Sequence, residues 1–155
     1  MKKAQTKKAR TKKKSGARSQ STKRFALKKT VKDRKKPAEL KHWAWDKVEV
    51  EVLTPLFERQ LIVGQDVMLA RILLRQGCIV PWHSHVNEQV SSTLTGALKF
   101  WIDGKEIVVR AGEVLTIPPN MPHKAEALED TVAIDVFTPP RADWLNKTDT
   151  YLRSK

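Results

Sequence analysis

Residues 97–110 read ALKFWIDGKEIVVR. Two alternating apolar runs, Ala97 to Ile102 and Glu106 to Arg110, flank Asp103-Gly104-Lys105. An Asp-Gly pair between such runs supplies the positive φ angles of a tight hairpin turn, so this stretch predicts two antiparallel strands. The same reading extends in both directions. Residues 48–52, VEVEV, alternate strictly, and residues 66–75 form a longer strand whose alternation weakens toward its end. Residues 114–117 stop at Pro118-Pro119-Asn120, and residues 131–137 stop at Pro139-Pro140. Only residues 142–145 and 149–153 read as helical. Short strands punctuated by Gly and Pro turns point to an all-β sandwich or barrel.

The net charge of +13 is unevenly spread. Residues 1–41 carry 18 Lys and Arg against 2 Asp and Glu, while residues 42–155 carry 12 against 15. The chain therefore reads as a Lys-rich tail, residues 1–41, followed by one mildly acidic domain, residues 42–155. Like charges without apolar periodicity repel, so the tail is expected to be disordered. Two uses compete for it. It can neutralise phosphates as a non-specific nucleic-acid contact, or it can be a solvated extension without a fixed partner. Phe25 is its only aromatic residue, which gives base stacking no support. A single cysteine, Cys78, excludes an intrachain disulfide framework and fits a reducing, cytoplasmic setting. No apolar run approaches the ~20 residues that span a bilayer, so no membrane role is expected.

Residues 81–89, PWHSHVNEQ, hold two of the four histidines one residue apart. On a strand, His83 and His85 would share a face. Two imidazoles on an interior face suit a shared metal; the competing reading is an exposed or hydrogen-bonded pair. The surrounding spacing is informative. Gly77, His83, His85, Gln89 and Gly96 form one set, and Gly112, Pro118, Asn120 and His123 form a second. In order and spacing these two sets resemble the two motifs of the cupins. The resemblance implies a double-stranded β-helix, or jelly-roll barrel, over most of residues 48–140. It also implies a divalent transition metal (Ni, Zn, Fe or Mn) held by His83, His85, Gln89 and His123. Gln89 stands where the family usually has Glu; Glu88, one residue early, would point to the opposite strand face. Asn120 replaces a Gly at a turn where Asn also tolerates positive φ. Ala127 replaces a final Asn.

The ending, DVFTPPRADWL over residues 135–145 with Tyr151-Leu152-Arg153 behind it, is similar to small cupins of the pectin-degradation KdgF type. That resemblance implies ring opening of 4,5-unsaturated uronate monosaccharides to the linear ketone, with Asp135, Phe137 and Arg141 as catalytic residues. Asp135 interrupts an apolar run and shares a face with Phe137, so an inward Asp135 would need a partner or a proton-transfer role. Arg141 can grip a sugar carboxylate with two parallel hydrogen bonds. The alternatives are a solvent-facing Asp135, a core Phe137 and a loop Arg141. The expected partner is a small sugar acid, and the expected state is a cytoplasmic homodimer. Because folds host several chemistries, two other functions stand beside this one: a metal-dependent dioxygenase, and a non-enzymatic sugar-binding cupin with a nucleic-acid-binding tail. Cys78 is expected to be an inert buried thiol, Trp82 and Trp101 to serve packing or a sugar face, and His42 to be incidental.

Overall fold

The structure, a computed structural model, describes residues 39–153. The expectation of a disordered, nucleic-acid-contacting tail falls, apart from residues 39–41, outside the described residues. Ten strands run in chain order: β1 Glu51–Thr54, β2 Phe57–Val63, β3 Met68–Leu74, β4 Ile79–His83, β5 Glu88–Thr95, β6 Ala97–Ile102, β7 Lys105–Arg110, β8 Val114–Ile117, β9 His123–Ala127 and β10 Thr131–Thr138. A single helical turn, α1 (Ala142–Leu145), and a 3-10 turn, Thr150–Leu152, close the described chain.

The strands make two antiparallel sheets, ordered β1-β2-β3-β10-β5-β8 and β4-β9-β6-β7. This is the all-β jelly roll that the sequence predicts. Strands β3 and β10 bury alternate residues. In β3 the buried set is Met68, Ala70, Ile72 and Leu74; in β10 it is Thr131, Ala133, Asp135 and Phe137. The apolar members of these sets meet Leu98, Phe100 and Ala125 of the smaller sheet in one hydrophobic core. The β6–β7 hairpin turns at Asp103 and Gly104, whose φ angles of 50° and 69° are the pair a two-residue turn needs.

The N-terminal edge departs from the simple pattern. The alternation VEVEV places the valines inward, but Val50 and Val52 are exposed and Glu51 faces inward. Pairing also begins only at Glu51, after a 3-10 turn at Trp45–Lys47. The physical cause is charge. Glu51 accepts hydrogen bonds from Arg59 Nε (2.8 Å) and Arg153 Nη2 (2.8 Å), and Arg59 is fully buried. The carbonyls of Trp45 and Val48 accept from the Gln60 side chain, both at 2.7 Å, instead of a neighbouring strand. Strand β2 escaped a simple alternation reading for the same reason, since Arg59 and Gln60 are both buried in it.

Two glycines of the sequence motifs have different physical roles. Gly77 (φ 80°) has open space where a Cβ would lie. Gly96 (φ 77°) would place a Cβ 2.5 Å from the Asp130 carbonyl and 2.5 Å from Thr131 Oγ1, which accepts the Ala97 N–H. Gly77→Ala therefore carries only the left-handed backbone penalty, about 1–2 kcal/mol. Gly96→Ala adds a backbone clash and should cost roughly 2–4 kcal/mol. Thermal unfolding of the two variants should place Gly96→Ala clearly below Gly77→Ala; equal midpoints would contradict this packing.

Candidate metal centre

The two sheets bring four donor side chains to one point. His83 ends β4 and pairs directly with His123, the first residue of β9, so both rings lie on the same side of the smaller sheet. Their centroids are 4.2 Å apart. Gln89 is the second residue of β5 in the larger sheet, buried, with Glu88 exposed beside it. His85 differs from the sequence expectation. It lies beyond β4, in the loop that leads to β5, and so does not share a strand with His83. The loop curls because the His85 carbonyl accepts the Asn120 N–H at 2.7 Å. Asn120 itself sits at φ 62°, in the turn before β9. The curl still delivers the His85 ring to within 5.7 Å of His83 and 5.3 Å of His123, centroid to centroid.

Backbone carbonyls set the protonation of all three rings. Nδ1 of His83 faces the Pro81 carbonyl at 2.9 Å, that of His85 the Asn87 carbonyl at 3.0 Å, and that of His123 the Met121 carbonyl at 2.8 Å. A carbonyl only accepts, so each Nδ1 carries the proton and each Nε2 keeps a bare lone pair. Burial disfavours charging these rings. It pushes His83 down to about 3, with the neighbouring His123 adding to the effect, and His85 down to about 4, with Arg141 adding. His123 is lowered by burial as well. The histidine donor atoms lie within 4.8 Å of one another. Gln89 Oε1 approaches His85 Nε2 at 3.1 Å. Two bare lone-pair atoms at that separation repel unless a cation lies between them, and adjacent ligands of one ion have about this spacing. Three neutral imidazoles and a neutral carboxamide fit a divalent transition metal by donor type and protonation state.

Asp135 and Phe137 both point inward from β10, opposite Ser91 and Gln89 of β5. Burial pushes the Asp135 carboxyl up to about 6, against the opposing influence of Ser91, Gln89 and Arg141. Neither Asp135 Oδ1 nor Ser91 Oγ has a hydrogen-bond partner. Phe137 packs edge-on against His85 (5.6 Å) and Trp144 (5.1 Å). Arg141 precedes α1 and is buried. Its fork is already engaged: Nε and Nη2 donate to the two Asp143 carboxylate oxygens at 2.9 and 2.6 Å. Nη1, with its two N–H groups, has no partner and remains for a ligand, so the Nε/Nη2 edge of the fork is closed to an outside carboxylate. One cavity is lined by His83, Gln89, His123, Asp135 and Arg141, with Phe57, Leu98 and Phe100 among its apolar lining residues.

Several site residues were not identified as such from sequence. Tyr151, the only tyrosine of the chain, stacks on His83 at 4.7 Å and lines the cavity. Trp144 lies beneath Arg141 and Arg59, 4.8 and 4.3 Å from its ring. Ser91 is an inward serine in a strand of mixed polarity. No local pattern marks any of them. Cys78 is buried and its thiol is pushed up by burial. Trp82 is 59% exposed, and Trp101 lies between Lys99 and Lys124, so neither reaches the cavity.

A family model described as a cupin domain matches residues 70–137. The pectin degradation protein KdgF of Dickeya dadantii (strain 3937) is 28% identical over 103 residues, 64% of this chain and 94% of that protein. Among solved structures, KdgF from Halomonas sp. matches with a TM-score of 0.65 at 23% identity, covering 68% of this chain and 99% of that one. An RmlC-like cupin from Shewanella frigidimarina NCIMB 400 matches with a TM-score of 0.64 at 26% identity, covering 69% and 97%.

The donor geometry has a direct test in metal content. Elemental analysis and chelator competition should show a bound divalent transition metal that is lost in a His83→Ala, His85→Ala double variant. Gln89→Ala should weaken retention by about tenfold or more, since even outer partners of ligands are worth that much. Glu88→Ala, altering an exposed side chain, should leave retention near the parent value; the opposite ranking would exclude Gln89 as a ligand.

Proposed function

The chain is a small cupin, and on that premise we propose that it opens the ring of 4,5-unsaturated uronate monosaccharides to the linear ketone. Similarity to KdgF proteins over nearly their whole length supports this reading. The observation that carries it is a buried carboxyl, Asp135, and a buried Arg141 Nη1 without a hydrogen-bond partner, on side chains that line the same cavity as His83, Gln89 and His123. Buried polar groups are nearly always partnered, so a carboxyl and a free guanidinium nitrogen at one cavity fit a ligand with a hydroxyl and an anionic group.

The chemistry is an isomerisation and requires no net proton. A base takes the proton from the anomeric hydroxyl. The bond between the anomeric carbon and the ring oxygen then breaks, leaving an aldehyde and an enolate. Protonation of the former alkene carbon gives the ketone beside the carboxylate. One carboxylate can serve both steps. Asp135, with a carboxyl near 6, is mostly ionised at neutral pH and remains a competent acid once protonated. Arg141 Nη1 anchors the substrate carboxylate through a charge-assisted hydrogen bond. Phe137 supports the His85 ring and closes the apolar side of the cavity. A divalent metal held by His83, His85, Gln89 and His123 would supply Lewis-acid polarisation of a sugar oxygen.

The accelerated loss of ultraviolet absorbance of an unsaturated uronate measures the reaction. Asp135→Asn should slow it by ~10²–10⁴-fold while leaving metal content unchanged. Arg141→Lys should mainly raise KM. A parent protein no faster than the spontaneous decay would refute ring opening of the sugars tested; a fully active Asp135→Asn would refute the role of that carboxylate alone.

A further inference from the structure

Tyr151 touches both halves of the site. Its ring is stacked on His83, with centroids 4.7 Å apart and planes 21° from parallel. Its phenol oxygen accepts a hydrogen bond from Arg141 Nη2 at 2.8 Å. A guanidinium only donates, so the phenol oxygen is the acceptor in that contact. The 3-10 turn that carries Tyr151 is held down by ion pairs on either side of it. Asp149 pairs with Arg59 at 2.8 Å, both side chains fully buried, and Arg153 pairs with Glu51 at 2.8 Å. Leu152 fills the core between them.

The guanidinium of Arg141 has three nitrogens, and Asp143 and Tyr151 engage Nε and Nη2. With Nε and Nη2 fixed at these atoms, the guanidinium plane and the placement of Nη1 are set. We infer that Tyr151 is a positioning residue: its hydroxyl aims Arg141 Nη1 at the carboxylate of a uronate, and its ring holds His83 in the donor cluster. The hydroxyl role rests on the uronate reading of the site; the ring role rests on the His83 stack alone. Phenylalanine separates the two, because it keeps the ring and removes the hydroxyl. A residue needed only for packing would tolerate that change without loss.

The test uses the full metal-containing chain, with galacturonate, a saturated uronate that cannot react, as the binding probe in calorimetry. Tyr151→Phe should weaken galacturonate binding about tenfold, the scale of one hydrogen bond to a charged group. Its metal content and thermal midpoint should match the parent. With unsaturated uronate, KM should rise with kcat nearly unchanged. Tyr151→Leu should lose affinity and also release metal faster to a chelator. If Tyr151→Phe binds galacturonate as tightly as the parent, the positioning role is wrong and ring opening still stands. If Tyr151→Phe binds more weakly but the parent opens no unsaturated uronate, the positioning role stands and the reaction assignment fails. If the parent binds no uronate, both fall.

Discussion

Three imidazoles can act on one ion only if each turns a bare nitrogen toward the same point, and here backbone carbonyls impose that. The carbonyls of Pro81, Asn87 and Met121 each hold an Nδ1 proton, and each lies two residues from the histidine it serves. The constraint is therefore local in sequence but depends on the fold for its direction. His83 and His123 converge because β4 and β9 pair with these two residues in register. His85 converges because a loop is pinned to the turn at Asn120. Gln89 arrives from the opposite sheet, so the cluster forms only when both sheets are packed. Burial, which keeps the rings neutral, comes from the same packing.

Much of this was legible in the sequence, for physical reasons that differ by residue. The Asp103-Gly104 turn is written in two adjacent residues, because only a narrow set of side chains accepts positive φ twice in succession. The inward face of β10 is written in its alternation, and Gln89 rather than Glu88 faces inward by the two-residue period of β5. His85 shows where this reasoning stops. The period-2 argument placed it beside His83 on a strand, and the chain instead leaves β4 after His83 and reaches the cluster through a loop contact with Asn120, 35 positions away. Long-range pairings of this kind have no local signature. Glu51 is a sharper case: the valines around it alternate perfectly, yet the carboxylate is the residue that faces in, because its partners Arg59 and Arg153 lie elsewhere in the chain.

Arg141 shows how structure refines chemistry inferred from residue type. An arginine near a sugar site suggests a bidentate clamp, since its fork matches a carboxylate. Here the fork matches Asp143 first. That internal pair holds the side chain near Trp144 and Phe137, with Nη1 left over. On the proposed uronate reading, Nη1 alone would give less affinity than a free fork but would fix the position of the anion, on which catalysis depends more.

The C-terminal segment must hold its place with little apolar surface. Helix α1 and the final 3-10 turn contribute Trp144 and Leu152 as their buried residues, too few for burial alone to fix them. Charge supplies the remainder. Arg59 and Arg153 face Glu51 and Asp149, two cations against two anions, so the cluster is neutral as a unit. Such a cluster adds little stability compared with an apolar equivalent, but removing one member strands the others at a cost of about 3–5 kcal/mol. That asymmetry favours a single seating of the segment over many approximate ones. Arg141, Trp144 and Tyr151 all lie on it, so the placement of Arg141 Nη1 and the tilt of the His83 ring depend on an ion-pair cluster that also fixes the first strand of the larger sheet. The edge strand with the inverted alternation and the cavity beside the histidine cluster are, in this sense, set by the same four charges.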